Sequence, residues 1–256
     1  MNERMLSMRL KLLGLFTFLI LLWLVNSLIP TRIDLSHLGL TEPHAFRLVL
    51  VFHGVVIATS AYIIIIRRAY LKRKYIIVGV ILGILSMFHF GQFMSIRILM
   101  FSTTLSSYIA ASLLFANSEV RMITFKKFSG EGLVISILAF VLFFVIMYLN
   151  FGTLAFMGFI HAFQPGISEE VVFRMFLFSL CIFIIGGKQD NYNKLNAILI
   201  NLILIIPFAI YHVSLGTPHI VARLISLTIM GLILTSFAIK RDLFSAILVH
   251  VLMNTI

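Results

Sequence analysis

Apolar residues occur along this chain in long unbroken blocks separated by short polar stretches, not in the alternating pattern of a half-buried strand. A helix needs roughly 20 residues to cross a hydrocarbon core about 30 Å thick. Blocks near that length lie at Leu12–Ile29, Ala45–Ile66, Tyr75–Phe93, Ile98–Ala116, Leu133–Asn150, Ile167–Ile185, Ala197–Val213 and Val221–Ile239. With a broken apolar stretch at 151–166 and a final run from Leu243 to Ile256, the pattern predicts an all-α, polytopic integral membrane protein with eight or nine transmembrane helices. The final run is about four turns long, short for a full crossing. Pro165-Gly166 predicts a break, after which Ser168 caps the helix that follows. The expected division is an N-terminal four-helix membrane region over 1–132 and a second helix bundle over 133–256. No internal repeat or low-complexity stretch is visible.

Composition agrees with this reading: 61% of residues are hydrophobic and 11% charged, against about 45–50% apolar residues in a soluble domain. A net charge of +11 would suggest nucleic acid in a soluble chain. Here the basic residues sit in short loops, so they read as topology determinants and contacts to anionic lipid, and no nucleic-acid partner is expected. Alternate loops carry fifteen and three Lys and Arg residues. This bias predicts a multi-pass protein of the cell membrane with its N-terminus and basic loops in the cytoplasm. Met1 to Lys11 is basic and no small-x-small cleavage pattern follows it, which predicts a retained signal-anchor. The lone Cys181 allows no intrachain disulfide and reads as a small hydrophobe.

Of nine acidic residues, Glu3, Asp34, Glu42, Glu119, Glu131, Asp190 and Asp242 lie in or beside polar connections, and only Glu169 and Glu170 enter an apolar span. An ionised group within lipid costs on the order of 3 kcal/mol by insertion scales, which makes these two a functional-site hypothesis. The plainer reading is an ion pair that locks two helices together. Adjacent helical residues point about 100° apart, so the two carboxylates cannot both face one reacting atom. Glu170 and Arg174 form an i,i+4 pair in the better orientation. That leaves Glu169 facing the cavity, with little solvent and no cation of its own, as a candidate general base. Phe208 and His212 repeat the four-residue spacing on one helix, and His250 and Asn254 on another. With the predicted topology, Glu169, His212, His250 and Asn254 all fall in the outer half of the bilayer. Two chemistries remain open. Glu169 and His212 could deprotonate a water while His250 and Asn254 donate to an oxyanion, or His212, His250 and Glu169 could ligate zinc. His53, His89 and His161 read as hydrogen-bonded packing residues, and His37, His44 and His219 as solvated loop residues.

At these positions the chain resembles the CPBP family of intramembrane proteases, which includes CAAX prenyl endopeptidases and bacteriocin-processing or self-immunity enzymes. The family pattern is Glu-Glu-x-x-x-Arg, Phe-x-x-x-His and His-x-x-x-Asn/Asp on separate helices. It corresponds here to Glu169-Glu170-x-x-x-Arg174, Phe208-x-x-x-His212 and His250-x-x-x-Asn254. The resemblance covers roughly 133–256. It implies that Glu169 activates water with His212 beside it and that His250 and Asn254 stabilise the oxyanion. It further implies that Glu170 and Arg174 support the site and that Phe208 lines it. Met175 stands where the family often has Gly, which bears on local packing and pocket shape. The expected activity is an intramembrane endopeptidase acting on a membrane-embedded or lipidated peptide, with zinc as its cofactor if His212, His250 and Glu169 are ligands. The competing readings are a non-catalytic immunity or binding protein of the same fold, and a proton-coupled transporter. The transporter reading is weakened by the lack of an inverted repeat.

Overall fold

The computed structural model describes residues 3–28, 43–87, 94–120, 145, 161–213 and 219–255. Among these every regular element is helical: α1 (Glu3–Leu28), α2 (Pro43–Ile66), α3 (Arg73–Leu85), α4 (Met94–Phe115), α5 (161–184), α6 (Lys194–Tyr211), α7 (Ile220–Lys240) and α8 (Leu243–Thr255). The all-α expectation therefore holds. Among the described residues four helices are long and apolar enough to cross a membrane, over Glu3–Val25, Ile96–Phe115, Lys194–Tyr211 and Ile220–Lys240, and Val51–Ile66 and Leu243–Asn254 are shorter apolar helices. The spans expected at 133–150 and over most of 151–166, and the residues His37 and His89, lie outside the described residues. His44 belongs to the first turn of α2, not to a loop. Pro43 explains the early start, because a first helical residue needs no N–H partner and proline's fixed φ suits it.

The exterior is what a lipid-facing surface requires. On α7, Val221, Ile225, Ile229 and Leu232 are all at least half exposed and follow one another at helical spacing, so they form a continuous apolar stripe. Ile65 and Tyr62 on α2, and Ile77 and Ile81 on α3, do the same. A stripe of this kind would be a liability in water but is the ordinary surface of a helix in hydrocarbon. The protein is a multi-pass membrane protein.

Inside, α5 is the central element. Every residue from Glu170 to Ser179 is buried, and α5 packs against α4, α6, α8 and α1. The apolar core runs without interruption from Met8 and Leu12 on α1, through Val171 to Cys181 on α5, to Val251 on α8. Cys181 is a buried free thiol within it, as expected of a small hydrophobe.

Small residues let the helices approach closely. A Cβ on Gly83 of α3 would lie 2.9 Å from Phe101 of α4, and one on Gly166 of α5 would lie 2.6 Å from Val251 Cγ2 of α8. Gly166 is thus a contact point and not the helix break that Pro165-Gly166 predicts. Residues 161–169 are continuously helical, and Ser168 does not cap a new helix, because its Oγ donates back to Gln164 O at 2.7 Å.

Two polar ties set α1 beside α6 in parallel. Arg9 Nε donates to Asn196 Oδ1 at 3.4 Å near one end, and Trp23 Nε1 donates to Val213 O at 3.0 Å near the other. At the Arg9 end, Asn193 caps α6 by accepting from Asn196 N at 3.1 Å. Asp242 caps α8 through Ser245 N at 2.6 Å, a side-chain oxygen taking one of the orphan donors of a helix start.

Candidate active site

The two carboxylates sit where α5 changes its winding. Helix 161–169 passes at Glu170 into a π-helical stretch, Glu170–Phe176, before regular α-helix resumes over Leu177–Ile184. Such wide turns tend to mark functional positions because they redirect neighbouring side chains. Glu170 turns into the core and is 0% exposed, as is Arg174, whose Nη1 lies 3.0 Å from Glu170 Oε1. The expected i,i+4 pair is therefore present. The guanidinium is also stacked on Phe208 of α6, 3.9 Å from its ring centroid, a cation–π contact strengthened by exclusion of water.

Glu170 has a second partner that spacing alone did not indicate. His250 Nδ1 lies 2.8 Å from the same Oε1. A carboxylate flanked by a guanidinium is an acceptor, so Nδ1 carries the hydrogen and donates. His250 Nε2, the other ring nitrogen, is turned to Glu169 Oε2 at 3.7 Å. This alignment depends on Gly166, which lets α8 close on α5 at Val251, the residue next to His250.

Glu169 faces the other way, toward α6. Its Oε2 lies 3.1 Å from His212 Nε2. His212 Nδ1 is 2.8 Å from Phe208 O, and a carbonyl only accepts, so Nδ1 must carry a hydrogen. One proton then lies between His212 Nε2 and Glu169 Oε2, whichever of the two holds it. Glu169 is consequently not a carboxylate without a cation of its own; an imidazole nitrogen lies within ion-pairing distance of it. With Glu170 balanced by Arg174, the cluster has one transferable proton, and it belongs to the Glu169–His212 couple.

Exposure indicates the open side. His250, Glu170 and Arg174 are at most 1% exposed, whereas His212 and Glu169 are 26% and 14% exposed. The accessible edge of the cluster is therefore the one carrying the proton. Phe208 is fully buried at its centre, with ring centroids 4.7 Å from His212 and 5.9 Å from His250.

Six of the seven residues singled out by motif come together. Asn254, one turn beyond His250 on α8, is exposed and enters none of these pairings. Among the described residues no three His, Cys, Asp or Glu side chains are grouped to hold a metal ion.

Motif spacing missed a neighbouring polar pair. His53 Nε2 of α2 lies 3.0 Å from Tyr211 Oη of α6. His53 thus has the hydrogen bond expected of a packing residue, but its partner is the residue next to His212. His219 is exposed, as a solvated residue should be.

The two acids, two imidazoles and an arginine are thus gathered by three helices into one polar cluster. Residues 154–256 match the family model described as Type II CAAX prenyl endopeptidase Rce1-like. Over these residues the chain is similar to Rce1-like domains, consistent with the CPBP group of intramembrane proteases, and the match supports an intramembrane endopeptidase activity in general. It takes in α5 to α8 and leaves out α1 to α4. No match was found among curated proteins or solved structures.

Proposed function

We propose that the protein hydrolyses a peptide bond of a membrane-associated peptide, using a water activated by Glu169. The observation that carries the reading is the contact between Glu169 Oε2 and His212 Nε2, 3.1 Å apart, because these two side chains are the partly exposed members of an otherwise closed cluster. A water beside them loses a proton to the couple as its oxygen bonds to the peptide carbonyl carbon. The carbonyl oxygen becomes an oxyanion. As the tetrahedral carbon collapses, its bond to nitrogen breaks, and the couple returns the proton to the leaving amine. The products are a new carboxylate and a new amine.

His250 serves the oxyanion from the buried side only with a second hydrogen on Nε2, its Nδ1–H being held by Glu170. Arg174 in turn holds Glu170, and its guanidinium is kept in place by the face of Phe208. Asn254 completes the oxyanion site only if substrate draws it inward from its exposed position.

The substrate class that suits an apolar exterior and a site within lipid is a lipidated or membrane-embedded peptide. The chain crosses the membrane eight or nine times with its N-terminus in the cytoplasm, so the cluster lies in the outer half of the bilayer. The test uses purified enzyme in proteoliposomes and a quenched fluorescent peptide ending in a farnesylated Cys-aliphatic-aliphatic-x sequence. Glu169→Ala and His212→Ala should each abolish cleavage without loss of protein from the membrane. A double variant that still cleaves at the parent rate would refute the reading. A motif-independent phenotype in cells would favour the non-catalytic binding protein.

A further inference from the structure

The last turn of α6 delivers His212 to Glu169, yet it is the least self-supporting part of that helix. Pro207 interrupts it, and proline lacks the N–H that would bond to the preceding turn. His212 is the cap residue, with its own N–H on Ala209 O at 3.3 Å, so the regular bonding ladder does not fix its place. Beyond the bond of His212 Nδ1 to Phe208 O, the side-chain ties on this turn come from the other end of the chain. Trp23 of α1 donates its indole N–H to Val213 O at 3.0 Å. His53 of α2, 4% exposed, is bonded to Tyr211 Oη at 3.0 Å.

The residues on either side of His212 are therefore each pinned by a helix outside the family-matched region. The rings transmit the same constraint. Tyr211 stands edge-on to His212, with centroids 5.4 Å apart and planes at 84°, and lies 5.8 Å from Phe173. Phe173 is one turn along α5 from Glu169 and is stacked on Phe52 of α2 at 5.3 Å.

We infer that α1 and α2 complete the active site, with Trp23 and His53 as positioning residues that hold residues 211–213 and so set His212 against Glu169. This rests on the hydrolase reading above. A residue that merely filled space at either position would be replaced equally well by an apolar side chain of similar size. Positioning through a hydrogen bond requires a polar atom at one defined place.

The test measures kcat and KM on the farnesylated fluorescent peptide, together with diethylpyrocarbonate labelling of His212 read by peptide mass spectrometry. Displacing a reacting group by an ångström costs up to about 100-fold in rate, so Trp23→Phe and His53→Leu should each lower kcat about tenfold or more. KM should stay within about twofold, since the effect falls on reaction geometry and not on binding. His53→Gln, whose amide reaches the same point, should recover most of the rate. In a Tyr211→Phe background, His53→Leu should have no further effect. His212 should be labelled faster in Trp23→Phe and His53→Leu than in the parent.

Full kcat and unchanged labelling in both of these variants would overturn the inference, as would a His53→Gln enzyme no better than His53→Leu. If His53→Leu does not accumulate in the membrane, Tyr211→Phe, which removes one oxygen, gives the same comparison. A Glu169→Gln enzyme that still cleaves would instead defeat the hydrolase reading, and the labelling result would then decide the positioning claim alone.

Discussion

Glu169 and Glu170 are neighbours of the same chemical type, and the structure gives them opposite duties that stability measurements can separate. Glu170→Gln keeps the shape of the side chain and removes its charge. Arg174, fully buried, has only Glu170 within ion-pairing distance among the described residues. Removing one member of a buried ion pair costs about 3–5 kcal/mol, because the other is left charged and uncompensated. For a chain of this size each kcal/mol lowers the unfolding midpoint by about 2–4 °C. Glu170→Gln should therefore melt roughly 10 °C below the parent in detergent. Replacing both members by apolar groups of similar size is often nearly neutral. Adding Arg174→Met to Glu170→Gln should thus recover much of the lost midpoint. Glu169→Gln should lose less than Glu170→Gln, since it strands no guanidinium and its amide still reaches His212. Cleavage should fail in Glu169→Gln despite its intact fold. The assay is thermal unfolding of purified protein in detergent, followed by fluorescence. If Glu170→Gln melted with the parent, or if the double variant were less stable than the single one, the assignment of Glu170 to a buried structural pair would be wrong.

Three other outcomes follow from the geometry. Gly166→Ala places a Cβ 2.6 Å from Val251 Cγ2; overpacking of this kind costs about 1–3 kcal/mol, and by pushing α8 outward it should lower cleavage more than a similar lesion far from His250. In the proposed mechanism Glu169 itself activates the water, so preincubation with 1,10-phenanthroline should leave the rate unchanged, and a reversible loss restored by zinc would contradict the mechanism. In intact cells, His219→Cys should react with a membrane-impermeant maleimide while Lys188→Cys should not; the reverse pattern would overturn the proposed topology.

Much of the site could be read from the sequence, for a simple geometric reason. Residues four apart on a helix share a face, so Glu170 with Arg174, and Phe208 with His212, were paired before their helices were placed. Rarity of charge in apolar spans singled out Glu169 and Glu170 for the same kind of reason. Contacts between helices were less accessible. That His250 donates to Glu170 follows from the approach of α8 at Gly166, a residue whose flanking proline suggested a break instead. The π-helical stretch has no pattern of its own in the sequence. His53 was indistinguishable from any other histidine in an apolar helix until Tyr211 was found beside it. Asn254 matched the motif by spacing, but it lies near the end of α8 on an exposed face.

The most direct test of the account is a comparison of membrane peptides, by mass spectrometry, between cells carrying the native chain and cells carrying Glu169→Gln at equal abundance. The account predicts at least one peptide with a newly formed terminus in the native cells that is missing from the Glu169→Gln cells, where its uncut precursor accumulates. Identical peptide populations in the two would contradict it.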